Sequence, residues 1–231
     1  MEGGAERDRE RGRKTHRQRD VKGASRVPDK VDHPFFSALY IRNQAAMERA
    51  LGGLRAEQNT RAAGRTLIVG AGTGQDVHAL GPRVTEVTLL EPDRSMRREL
   101  TRHFPELPLL ESQAEQIDAP DASFDTVLSS LVLCSVQDVD AALREIARVL
   151  RPGGQYLFFE HVRHERAAPQ ALQDALTPLW KKVGGGCHLN RALVDAVRRS
   201  PLAVADVRQV RDGWLLPVVA GRAVREATVV S

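Results

Sequence analysis

The chain has 231 residues, 42% of them hydrophobic and 28% charged, with a net charge of +4. That length supports one well-buried core, and with no apolar run of 18 residues nothing is expected to span a membrane. Residues 1–31 hold ten Lys/Arg against six Asp/Glu, whereas 32–231 hold twenty-four of each, so the folded part carries no electrostatic footprint for nucleic acid.

Residues 1–31 have almost no large apolar side chains and mix both signs of charge, so this basic tail is expected to be disordered, ahead of one domain over 32–231. No apolar leader opens the chain. Its two cysteines, Cys134 and Cys187, make no disulfide framework, and a cytoplasmic setting is expected. The composition changes at His33: Phe35, Phe36 and Tyr40 open an amphipathic helical cap over 33–57, with Phe35 and Phe36 read as its anchors to the core.

A strand at 65–69 then breaks into Gly70-Ala71-Gly72-Thr73-Gly74, and a strand near 84–90 ends on Glu91-Pro92. Glycines at this spacing let the backbone turn sharply and bring bare N–H groups against a ligand. Glu91, 21 residues after Gly70, stands where the second strand of a βαβ unit presents a carboxylate to a ribose hydroxyl pair. A dinucleotide turn wants its third glycine one position later, where Gln75 stands, so adenosine on a short charged tail fits better than NAD(P).

Downstream, helices are expected after Gly74 and from Asp93 to His103, a short strand over 107–110, and a buried strand over 124–133. Asp138 caps a helix ended by Pro152-Gly153-Gly154, and Tyr156 to His161 makes the next strand. Over about 162–200 a lid interrupts the rhythm. Leu172, Leu176, Leu179, Trp180 and Val183 form an apolar stripe stopped by Gly184-Gly185-Gly186, with Trp180 read as lid core, and Asn190 caps a further helix. Strands near 203–211 and 214–225 close the chain. The fold class is α/β: a Rossmann-like, doubly wound, mainly parallel seven-stranded sheet with an antiparallel edge and a helical lid insertion.

The glycine turn and Leu89-Leu90-Glu91-Pro92 resemble motifs I and II of the class I S-adenosylmethionine-dependent methyltransferases. Gln113-Ala114-Glu115 and the segments around Phe124-Asp125 and Leu150-Arg151-Pro152-Gly153-Gly154 resemble later motifs, over roughly residues 33–225. The branch is the small-molecule, type-11 group related to quinone-biosynthesis enzymes. Leu133-Cys134-Ser135-Val136, Glu160-His161-Val162 and Gly185-Gly186-Cys187-His188 resemble its alkyl-thiol methyltransferase-like members.

The resemblance implies that S-adenosylmethionine is the cofactor. Gly70, Ala71, Gly72, Thr73 and Gly74 would receive its methionine end, Glu91 and Pro92 its ribose, and Ala114 and Glu115 its adenine, with Ser130 and Leu131 at the end of the fourth strand. One departure is Ile68, where the family usually has an acid; either affinity falls or Asp76 takes over. The acceptor is expected to be a small molecule, a thiol first and then a phenol, quinol oxygen or enol-like carbon. The Asn/Asp-Pro-Pro-aromatic turn of amine methyltransferases is missing after Ser130.

His161 and His188 are candidate bases for the acceptor, and Tyr40 a candidate acceptor contact. The spacing of His161, His164, Cys187 and His188 fits no zinc signature, so no metal is expected. Alternatives from other classes are a non-catalytic binding protein that keeps the fold and an NAD(P)-dependent oxidoreductase. The oligomeric state is left open.

Overall fold

A computed structural model describes residues 32–227, so the basic tail falls outside the described residues. In chain order the elements are α1 (Pro34–Asn59), β1 (Gly64–Val69), α2 (Gln75–His78), β2 (Val84–Leu90), α3 (Arg94–His103), β3 (Leu109–Leu110), β4 (Phe124–Ser130), α4 (Val139–Val149), β5 (Leu150–His161), α5 (Ala167–Val183), α6 (Leu193–Arg199), β6 (Leu202–Arg211) and β7 (Val218–Arg225). The strands form one sheet in the order β3-β2-β1-β4-β5-β7-β6. Pairing is parallel from β3 through β5. The antiparallel edge is the last pair, with β7 inserted between β5 and β6 and antiparallel to both.

Alternation along the strands sorts the core into two layers, because successive side chains leave a strand on opposite faces. Leu67, Val69 and Val127 pack with Leu143 and Ile146 of α4 and with Leu193 and Val197 of α6. Ile68, Leu89, Leu128 and Leu157 face the other way, onto Leu100 of α3. Further along that same face, toward β7, Leu51 of α1 meets Phe159 and Ala220. Each such side chain contributes about 1.5–3 kcal/mol on burial. Strand order reverses between β1 and β4, and ligands bind at the carboxyl ends of strands at such a switch point. Among the described residues no helix is long and apolar enough to cross a membrane.

Several local expectations are corrected. α2 is a single turn, β3 shrinks to two residues, and β4 stops at Ser130 rather than Leu133. Pro152-Gly153-Gly154 does not separate α4 from the next strand: β5 begins at Leu150, its register with β4 breaks between Phe124 and Thr126, and Gly153 takes the bulge at φ 78°. The last strand begins at Val218 rather than near 214.

α1 forms as expected, but Phe35 is 72% exposed and anchors nothing. The side chains it buries are mostly polar: Ser37, Arg55, Gln58 and Asn59, beside Leu51. Gln58 Nε2 donates to the Gly221 carbonyl at 2.6 Å, so the helix is tied to sheet backbone as well as to the core.

The segment over 162–200, expected as a lid, inverts its expected polarity. Leu172, Leu179, Trp180 and Val183 are exposed, and α5 turns Pro169, Gln173 and Thr177 inward. Gln173 accepts from the His164 N–H at 2.8 Å and donates to the Val162 and Leu215 carbonyls at 3.2 and 3.1 Å, satisfying loop backbone that would otherwise be buried bare. Trp180 is thus not lid core. Asn190 does not cap α6 either: its amide donates to Asp174 at 2.8 Å, and the N-cap residue is Ala192.

Candidate active site

A cavity of about 610 Å³ opens at the carboxyl ends of β1, β2 and β4, within the usual 300–1,000 Å³ of small-molecule sites. Its walls come from the glycine turn, the residues after β2, the start of α1 and the end of α5. Gly70 and Gly72 line it, both with positive φ, 64° and 57°. A side chain at Gly72 would meet nothing nearer than the Gly70 carbonyl at 4.0 Å, so the bare backbone there leaves room for a ligand. Gly74 serves packing instead. A β-carbon on it would collide with the Phe104 ring at 2.2 Å, and it is not on the cavity wall.

Glu91 is 6% exposed and lies on the cavity wall. Its Oε2 accepts from the Gly72 N–H at 2.8 Å and its Oε1 from the Asp93 N–H at 2.9 Å, so the carboxylate is fixed in place by the turn it serves. Each oxygen keeps a further lone pair for a ribose hydroxyl. Burial pushes the Glu91 pKa up from the ordinary 4.5 to about 7, although the two backbone donors pull the other way.

Because the folded value lies above the ordinary one, stability held through the neutral carboxyl is complete below pH 4.5 and is lost as pH rises through 7. Binding a diol through the charged form has the opposite sign. Affinity for S-adenosylhomocysteine is expected to fall by roughly tenfold from pH 8 to pH 6, by calorimetry. Glu91→Ala is expected to cost about 1.5–3 kcal/mol of that affinity and to abolish the pH dependence; an unchanged affinity would remove the carboxylate from the site.

Pro92, Ala114, Glu115, Ser130 and Leu131 also line the cavity. Glu115 also accepts from the Gln137 N–H at 2.8 Å. Leu131 carries an unusual φ of 58°, a strained position for a branched side chain, and its N–H is held by the Phe159 carbonyl at 2.8 Å. Asp93 joins two walls. Its Oδ1 caps α3 through the Ser95 and Met96 N–H groups, and its Oδ2 receives the His33 N–H at 2.9 Å, which places the start of α1 over the cavity.

Asp76, Ala71 and Thr73 are buried away from the cavity wall. Asp76 Oδ1 accepts from Asn59 Nδ2 at 2.8 Å and Ser130 Oγ at 2.7 Å, with Arg55 Nε 3.6 Å away. Burial raises its pKa and the Arg55 charge opposes this. It therefore clamps α1 to the glycine turn and to the end of β4, rather than presenting a carboxylate to the cavity in place of Ile68.

The three acceptor-side candidates divide. Tyr40 lines the cavity next to Phe36, and burial raises its pKa, so the phenol stays protonated at neutral pH. His188 lines it as well. Burial, then the Arg191 and Lys181 charges, holds its pKa below the usual value, which leaves a neutral imidazole. Its Nδ1 stands 3.2 Å from both the Cys134 carbonyl and the Arg191 guanidinium. His161 is not on the cavity wall. It is 5% exposed at the end of β5, with Nε2 2.7 Å from Cys187 Sγ.

The sequence reading missed Glu160. It is fully buried, and its Oε1 accepts from Ser129 Oγ at 2.9 Å and from the Val132 and Leu133 N–H groups at 3.0 Å each. It thereby holds the turn that carries Leu131. A carboxylate directly after the apolar Leu157-Phe158-Phe159 was the available signal.

Comparison with known proteins places this arrangement. A family model described as "Methyltransferase domain" matches residues 67–158. Thiol S-methyltransferase TMT1A of Homo sapiens is 30% identical over 203 residues, covering 82% of this chain and 83% of that protein. Thiol S-methyltransferase TMT1B of Rattus norvegicus is 37% identical over 133 residues, a match that spans 54% of each. A ubiquinone/menaquinone biosynthesis C-methyltransferase, UbiE of Bradyrhizobium diazoefficiens, is 30% identical over 125 residues, 52% of this chain and 48% of that one. Among solved structures, the YcgJ protein of Bacillus subtilis superposes with a TM-score of 0.62 at 19% identity, over 78% of this chain and 99% of that one, which shows the shared fold. The chain belongs to the class I S-adenosylmethionine-dependent methyltransferases, in their type-11 branch, and S-adenosylmethionine is its methyl donor.

Proposed function

We propose that the methyl group goes to the sulfur of a small, rather apolar thiol. The observation that carries this reading is His188, a neutral imidazole on the same cavity wall as Leu131, Val132, Val136 and Phe36. The thiol S-methyltransferase relatives support the same acceptor class. A thiol ionises near 8.5 and a phenol near 10, so a single histidine suffices for the former at neutral pH.

The donor fits the residues present: Gly70 and Gly72 offer bare backbone, Glu91 a fixed carboxylate, and Ala114 and Glu115 a border for the adenine. Bound there, S-adenosylmethionine supplies a methyl group already activated by its sulfonium. What remains for the protein is alignment and exclusion of water. Phe36 and Tyr40 from α1, Lys181 from α5 and Gly186 just beyond it line the cavity and help to exclude water. His188 takes the proton of the acceptor at Nε2 while Nδ1 stays engaged on its other side.

The test is transfer of labelled methyl to a panel of alkyl and aryl thiols, phenols, quinols and amines. Thiols are expected to dominate, and exclusive labelling of oxygen or carbon would refute the acceptor. His188→Gln is expected to lower kcat with a thiol by about 10²-fold at pH 7. The deficit should shrink toward pH 9, where the thiol ionises unaided; a deficit independent of pH would remove the base role.

A further inference from the structure

Methyl transfer as described makes no use of a cluster that lies just behind the cavity wall. Cys134 follows β4, His161 ends β5, and Cys187 follows α5. Their Sγ, ring nitrogen and Sγ atoms all lie within 4.8 Å of one another. The residues are 3%, 5% and 8% exposed.

Backbone brings them together. The His188 N–H donates to the Cys134 carbonyl at 2.8 Å, joining the two cysteine-bearing segments, and His161 is held in the sheet opposite Val218. The Trp180 indole N–H donates to Cys187 Sγ at 3.3 Å, as outer-shell donors do to metal-bound thiolates.

Two thiols and an imidazole form a soft to borderline donor set that suits zinc and offers nothing to magnesium or calcium. Charge points the same way. Two thiolates and a neutral imidazole sum to −2, which a divalent cation cancels, and a neutral complex is the form that burial tolerates. Ligands on tetrahedral zinc stand about 3.5 Å apart, given bonds near 2.3 Å to sulfur and 2.0–2.1 Å to nitrogen. The His161–Cys187 pair, now at 2.7 Å, would open by less than about 1 Å.

We propose that Cys134, His161 and Cys187 form a zinc site with three protein ligands. Two S–H bonds break and two S–Zn bonds form, and both protons pass to solvent, so occupancy rises with pH. Three protein ligands leave one position to a non-protein donor, as in catalytic rather than closed structural sites. Ser135, Gly186 and His188 flank the cysteines in sequence and line the cavity, so the ion would tie the acceptor wall to the sheet.

The test uses the full chain, reduced and metal-free, titrated anaerobically with Co2+ and then with Zn2+. One equivalent of cobalt is expected, with sulfur-to-cobalt charge-transfer absorption and the intense d–d bands of tetrahedral coordination, displaced by one equivalent of zinc. Cys187→Ala and His161→Ala should each weaken zinc by more than about 100-fold, beyond the 10–100-fold effect typical of outer-shell partners. His103→Gln, on the surface, should not. Retained binding of S-adenosylhomocysteine shows that a variant is folded, and if one ligand variant is not, the other carries the test. Absence of the thiolate absorption, affinity unchanged in a folded ligand variant, or a Cys134–Cys187 disulfide that persists in reductant and excludes cobalt would each overturn the site.

Discussion

Ile68→Asp is expected to lower Tm by roughly 10–15 °C and to leave affinity for S-adenosylhomocysteine no better than in the parent, despite restoring the acid usual in related glycine motifs. Ile68 is fully buried against Leu89, Leu100, Leu128 and Leu157, on the face of β1 opposite Leu67 and Val69. An aspartate there would lose the burial energy of isoleucine and hold a carboxyl with no cation beside it, at a combined cost of about 4–5 kcal/mol. For a domain of this size each kcal/mol is worth about 2–4 °C. Calorimetric melting with parallel ligand titration checks both halves. A variant that binds the cofactor more tightly would show that position 68 does reach the cavity.

Glu160→Ala is expected to cost about 3–5 kcal/mol and most of the methyl-transfer activity, although the residue is not on the cavity wall. Truncation strands the Leu133 N–H in the interior and the Val132 N–H at its edge, at about 1–3 kcal/mol each, and frees the turn that forces Leu131 to φ 58°. Burial pushes the Glu160 pKa up, and its three donors converge on one oxygen, Oε1. Glu160→Gln keeps that acceptor and should cost only about 1–2 kcal/mol. Denaturant melts of the pair decide the matter, since equal losses would mean that charge rather than the shared acceptor holds the turn.

The features legible in the sequence are those that backbone geometry dictates locally. Gly70, Gly72 and the distance to Glu91 follow from a strand–turn–helix–strand unit, and the structure joins Glu91 to the Gly72 N–H. Asp138 caps α4 as expected, and Asp93, expected as the first residue of its helix, is the cap of α3. On α5 and α1, apolar periodicity points the wrong way because the buried partner is polar backbone. α5 covers loop backbone, so Gln173 and Thr177 are worth more inside than Leu172 or Leu179, and polar satisfaction overrides hydrophobic periodicity. The same holds for Arg55, Gln58 and Asn59 on α1.

Pairings between distant segments leave no local trace. Asp76 looked available to the cofactor until Asn59 and Ser130 were placed beside it. His161 looked poised for the cleft until Cys187 folded onto it.

The proposed reaction requires the donor's adenosine between the glycine turn and the end of β2, with its sulfur turned toward Leu131 and His188. A crystal structure with S-adenosylhomocysteine tests this most directly. Both ribose hydroxyls are expected within hydrogen-bonding distance of the Glu91 carboxylate, and the adenine against Ala114 and Glu115. A nucleoside bound away from Glu91, or a cavity that side chains close against it, would contradict the account.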